Sequence, residues 1–150
     1  MANPTATLSI YGRGCLGVGE LILHTAVLYL RLMKTGFTFD QDTTAPFLWS
    51  TSNFDSWELS GVNGYTTGGQ ALAGATPGYD TTLHRYYVAF NSVAWTATGG
   101  NIGPTPGAIL EDKSEPPGGG TARDRIIGYL DFGGDQTQLN GGVFTIATPI

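Results

Sequence analysis

Charge is scarce in this chain. Asp, Glu, Lys and Arg together make up 13% of its 150 residues, about half of the ~25% usual for a soluble domain. With little charge of either sign, the repulsion that holds protein surfaces apart is weak, and self-association is the first expectation. Positive charge is the scarcer kind: seven Lys and Arg against twelve Asp and Glu leave a net charge of -5. No basic cluster forms, because Asp124 separates Arg123 from Arg125. A nucleic-acid partner needs a positive footprint along its phosphates, so none is expected. Cysteine is nearly absent as well. Cys15 stands alone, which excludes an intrachain disulfide framework, and a small buried residue is expected there rather than a nucleophile. Long apolar runs are missing too. "LILHTAVLYLRLM", residues 21–33, is broken by His24, Thr25 and Arg31 and is too short and polar for a helical membrane span. The start, "MANPTATLSI", has neither the basic region nor the apolar core of a secretory signal. A soluble protein made in the cytoplasm, with no membrane partner, is expected.

The motifs that carry catalysis or cofactors are missing in the same way. "SGVNGYTTGGQALAG", residues 60–74, is rich in glycine but has no G-x-G-x-x-G spacing and no Walker lysine, so it does not read as a phosphate cradle. Asp40 and Asp42 alternate as calcium ligands do, yet Thr43 to Pro46 follow where such a loop continues with glycine and more acids; a solvated turn is expected. Asp131 and Asp135, around "FGG", read as turn formers. His24 and His84 belong to no ligand-spaced motif. Ser60 before Gly61 is not a G-x-S-x-G elbow. Paired carboxylates remain formally open, since the fold sets their spacing. The expectation is a protein that is not an enzyme and has no catalytic, cofactor-binding or metal-binding residues.

What the chain does contain is glycine, 23 residues of it, among 41% hydrophobic residues. Residues 1–19 show no helical period and read as an N-terminal arm or a late-entering strand. Val27 to Met33 reads as a strand, with Leu28, Leu30 and Leu32 on one side and Tyr29, Arg31 and Met33 on the other. Phe37 and Phe39 alternate, and "SNFDSWELSG" reads as a helical turn with Ser52 or Asn53 as cap and Gly61 as stop. The glycine-rich stretch reads as a folded turn corner, with Tyr65, Leu72 and Ala73 as its packing residues.

"TTLHRYYVAFNSVAWTATGG" is the clearest strand region, with Tyr87, Ala89 and Asn91 facing away from Tyr86, Val88 and Phe90. "GAILED" is a short strand, "KSEPPGGGTARD" a loop tip, "RIIGYLDFGG" a strand, and "GGVFTIATPI" a closing strand. Short strands at regular spacing with Gly-rich turns predict a mainly β chain. The expected fold is an antiparallel β-sandwich, jelly-roll or barrel-like, over residues 20–150, with at most one short helix.

The aromatics Trp49, Trp57 and Trp95 and the seven tyrosines suit either a subunit interface or stacking on sugar rings. Tyr86 and Tyr87 fall on opposite faces, so at least one of them points away from the core.

The order of the motifs adds one more reading. "GYTTGGQALAG", then "VAWTA", then "AIL" before a charged loop, then "RIIGYLDFGGDQTQLNGGVFTI" resembles a group of small tailed-bacteriophage virion proteins, over about Phe37 to Ile150. The matched positions are Gly64, Tyr65, Gly68 and Gly69 at a corner, Trp95 at a strand end, and Asp131, Gly133 and Gly134 at a last turn. Here a longer Pro-Gly loop follows "AIL" than that group commonly has. The resemblance implies a structural component of the virion and carries no catalytic residue. A capsid decoration or cement protein is expected, bound to the major capsid protein or other virion proteins and to itself, most simply as a trimer. The alternatives are a tail, neck or fibre-base component, or a carbohydrate-binding module.

Overall fold

The computed structural model describes residues 5–17, 19, 21–42, 54–114 and 125–147. Nine strands and one α-helix lie in these residues: β1 (Thr5–Leu8), α1 (Ile10–Gly17), β2 (Leu28–Leu32), β3 (Gln70–Ala71), β4 (Thr76–Asp80), β5 (Arg85–Ala89), β6 (Val93–Thr96), β7 (Ile102–Asp112), β8 (Arg125–Gln138) and β9 (Val143–Ile146). A 3-10 turn covers Phe54–Trp57. The chain is mainly β and every strand pairing is antiparallel, as the strand pattern predicts. A five-stranded sheet runs β1-β8-β7-β2-β3, and β4–β5 and β6–β9 form two further pairs. The large sheet is open, with β1 and β3 at its edges. It does not close on itself, so the barrel-like form of the expectation does not hold.

Period-two burial sets the two faces of this sheet. Leu28, Leu30 and Leu32 of β2, Ala108 and Leu110 of β7, and Leu130 of β8 enter the main core. Val93 and Trp95 of β6 and Phe144 and Ile146 of β9 join the same cluster, in the manner of a second layer. The opposite face carries Met33, Ile109, Ile126 and Tyr129 under Phe37, Phe39 and Phe54. A register shift lies between Leu110, opposite Gly128, and Glu111, opposite Ile126. It leaves Ile127 as an extra residue and shifts the alternation by one, so that Ile127 shares a cluster with Leu130 and Ile126 with Tyr129.

Two elements depart from the sequence reading. Residues 10–17 are helical although they carry no helical period. Ser9 supplies the reason: its hydroxyl accepts the Gly12 amide at 2.8 Å, as an N-cap does, and donates to the Ile126 carbonyl at 3.1 Å. A side chain at Gly12 would run into the Ile127 backbone, so tertiary contact, not amphipathicity, holds this helix in place. Asp131, Gly133 and Gly134, expected at a last turn, lie inside β8, which continues to Gln138; the turn follows at Asn140 and Gly141. Positive φ at Gly133 and Gly134 and a register shift against β7 bulge the strand there. Phe37 and Phe39 build no strand and cover the outer sheet face from a loop. The expected caps Ser52 and Asn53 and most of the Pro-Gly loop lie outside the described residues.

Candidate interaction surface

The β4–β5 hairpin is built from "TPGYD" and "RYYVA" joined by Thr81 to His84. Asp80 fixes the turn by accepting the Thr82 and Leu83 amides at 2.9 and 3.0 Å, the usual work of Asp in turns. His84 closes it in the left-handed region, at φ 50°. Register places Gly78 opposite Tyr87 and Tyr79 opposite Tyr86. The Tyr87 ring lies in the space left by the missing side chain of Gly78. Tyr79 and Tyr86 meet with centroids 4.9 Å apart and planes tilted by 48°.

The root of the hairpin is anchored. Leu72, Ala75 and Val88 pack on the main core, Phe90 is part of it, and the Asn91 amide donates to the Ala73 carbonyl at 2.8 Å. Its outer half is not: Tyr86 is 85% exposed, Leu83 60%, Tyr79 47% and Tyr87 36%. Tyr79 and Tyr86 share one face of the hairpin and Leu83 lies in its turn, while Tyr87 falls on the other face. Scattered exposed apolar residues need no explanation, whereas a contiguous group points to contact with another molecule.

The glycine-rich corner serves the interior. Gly64 has φ 92°, and any side chain there would strike the Thr96 carbonyl. The turn delivers Tyr65 into the core, where its hydroxyl accepts the Leu32 amide at 3.1 Å and donates to Glu58 Oε1 at 2.7 Å. The Gly68 amide donates to the same oxygen at 2.6 Å. Arg31 joins the cluster by a bidentate pair to Glu111 at 2.6 and 3.0 Å and a bond to Glu58 at 3.3 Å, and Lys113 lies 3.7 Å from Glu111. Arg31, Glu58 and Glu111 are all buried. Burial pulls the Arg31 pKa down, but Glu111 and Glu58 outweigh it and leave the guanidinium above its ordinary value. Burial, then the negative Glu58, push the Tyr65 phenol well up. Paired catalytic carboxylates need water or substrate between them; here a guanidinium bridges Glu58 and Glu111 and ties β2 to β7 and to the segment at Glu58.

The other candidates scatter. Cys15 is 4% exposed in the main core. His24 and His84 are exposed, and among the described residues no three His, Cys, Asp or Glu could hold a metal ion. Ser60 is exposed just before the bend at Gly61. Trp95 is buried between Tyr65 and Phe144, Trp57 is 43% exposed beside Phe37, and Trp49 lies outside the described residues. Asp40 and Asp42 line an open groove with Asp131. Within the bulged part of β8 Asp131 accepts the Gly133 amide at 2.8 Å, and Asp135 accepts the Thr35 hydroxyl. Sequence reasoning singled out Tyr86 and Tyr87 but missed Tyr79 and Leu83; the Pro-Gly-Tyr-Asp segment opposite them, with its four-residue turn, was the available signal. Comparison of the chain with protein-family models, with curated proteins and with solved structures finds no match.

Proposed function

We propose that this chain is a non-enzymatic structural protein of a bacteriophage virion, a capsid decoration or cement protein that ties neighbouring capsid subunits together. The observation that carries the assembly part of this reading is the projecting hairpin, with Tyr79, Leu83 and Tyr86 exposed on a core-anchored stem. The motif order of the sequence supplies the virion part. In this reading the hairpin tip inserts into a recess of a neighbour, and Tyr79 and Tyr86 act as aromatic anchors. Copies held at several points on a shell then bind by avidity, so contacts that are weak one by one resist expansion of the head. A trimer on a local threefold axis closes such contacts most simply. A tail, neck or fibre-base position uses the same hairpin at lower copy number.

A sugar-binding reading draws on the same tyrosines, but rings tilted by 48° offer no flat platform for a pyranose, which favours the protein contact. The test is occupancy. Variant Y79S/Y86S, added to particles stripped of this protein, is expected to rebind at least tenfold more weakly while its unfolding midpoint stays unchanged. Equal rebinding removes the hairpin from the interface. A wild-type chain that binds no particle but is retained on a glycan array overturns the virion reading.

A further inference from the structure

The outer face of the five-stranded sheet carries an open groove of about 840 Å³. Its floor is aromatic. Tyr129 of β8 lies with its ring stacked on Phe39, centroids 5.4 Å apart and planes at 21°, and Phe37 stands 5.6 Å away. Its rim is acidic, with Asp40 and Asp42 on the loop side and Asp131 on β8. Among the described residues Arg13 meets this rim, 3.4 Å from Asp42, and both side chains are exposed.

Tyr129 is 8% exposed, and among the described residues its hydroxyl makes no hydrogen bond. A buried hydroxyl without a partner is unusual and marks a place where something else supplies one. Burial, then Asp131 and Asp135, push this phenol up to about 12, so at neutral pH it keeps its proton and can donate. The chemistry narrows the occupant. Three carboxylates repel phosphates and other anions. A purely apolar ligand would desolvate those carboxylates with nothing in return. A bare metal ion finds no converging set of three ligands among the described residues. A cation on an apolar stem meets every surface present, because its methylenes and charge suit an aromatic floor and its head suits the acids.

We infer that this groove docks a short basic segment of a partner protein, an Arg or Lys stem lying along Phe39, its charge between Asp40 and Asp131, and a backbone carbonyl accepting the Tyr129 hydroxyl. The inference is independent of the hairpin, since it uses none of its residues.

The test is titration of the full chain with a hexa-arginine peptide by calorimetry, at low and at high salt. Saturable one-site binding is expected, weakened by salt as charge pairing requires. Variant D40N/D131N, whose asparagines keep the turn acceptors, is expected to bind about tenfold more weakly. The control D55N, set against D131N alone, removes the same charge elsewhere and is expected to bind as wild type. Y129F is expected to lose about threefold or more while its unfolding midpoint holds or rises, because only a hydroxyl is removed. Absence of binding overturns the inference. So does an equal loss in D131N and D55N, which would mean unspecific attraction to acids, or wild-type affinity in Y129F.

Discussion

Arg31 was legible in the sequence only as an interruption of an apolar run. In the fold it sits 80 positions from Glu111 and 27 from Glu58 and holds both carboxylates. A pairing across such separations leaves no local pattern, which is why the buried clamp could not be read. It has a large expected effect. Replacing Arg31 by Met leaves two buried carboxylates with Lys113, Tyr65 and the Gly68 amide among their partners, and removing one side of a buried ion pair typically costs about 3–5 kcal/mol. Urea unfolding of R31M is expected to show a loss of that size; a loss under about 1 kcal/mol would mean that water reaches the cluster. Tyr129 gives a second residue-scale prediction. Its folded pKa is raised from 10.0 to about 12, by burial and then by Asp131 and Asp135. Folding therefore favours the protonated phenol: the contribution is complete below pH 10 and is lost as pH rises through 12. Two units correspond to roughly 2.7 kcal/mol at most. Stability measured by urea midpoints from pH 9 to 12 is expected to fall, and Y129F is expected to fall less by about that amount, Tyr65 keeping its own share. Parallel profiles for the two proteins would refute the assignment.

Elements were legible in proportion to how locally they are decided. β2, β5, β6 and β9 carry their alternation in their own residues; burial follows it in β6 and β9, where Val93, Trp95, Phe144 and Ile146 are buried, whereas in β2 Arg31 is buried along with Leu28, Leu30 and Leu32. β7 was visible only as its second half, because Gly103, Pro104 and Pro106 hide the first. Pro104 and Pro106 are tolerated because β2 pairs only with Ala108 to Asp112, leaving that stretch of β7 without a strand on the β2 side. α1 was invisible because its packing surface comes from β8, which also anchors its cap, Ser9, through the Ile126 carbonyl. This changes what an N-terminal truncation tests. β1 pairs with β8 from Thr5 opposite Asp131 to Leu8 opposite Gly128, and Cys15 belongs to the core. Deleting residues 1–16 is expected to cost about 3 kcal/mol or more through lost pairing and exposed core, seen as a lower melting temperature. Full retention of stability would show instead that this segment is a detachable arm.

For the whole molecule, the mainly β, antiparallel character was readable from turn spacing, but the strand order was not. β1–β8 and β6–β9 join strands far apart in sequence, and no single window records them. Of the candidate surface, half was legible: Tyr86 and Tyr87 by their alternation, whereas Tyr79 joins them only through the hairpin register. Association behaviour brings the two scales together. A net charge of -5 gives weak mutual repulsion, and salt screens it within about 10 Å at 0.1 M. Contacts made by Tyr79, Leu83 and Tyr86 are apolar and do not depend on charge. Light scattering after size exclusion, over a hundredfold range of concentration, is therefore expected to show a closed oligomer whose mass holds or rises when salt is raised. Variant Y79S/L83S/Y86S is expected to run as a monomer with an unchanged melting temperature, because the three side chains are exposed and make little of the core. An oligomer that dissociates in salt would place the contact on charged surface instead of the hairpin. A wild-type monomer at every concentration would leave the hairpin its role only against a different partner, since the same exposed tyrosines would then find no complement on a second copy.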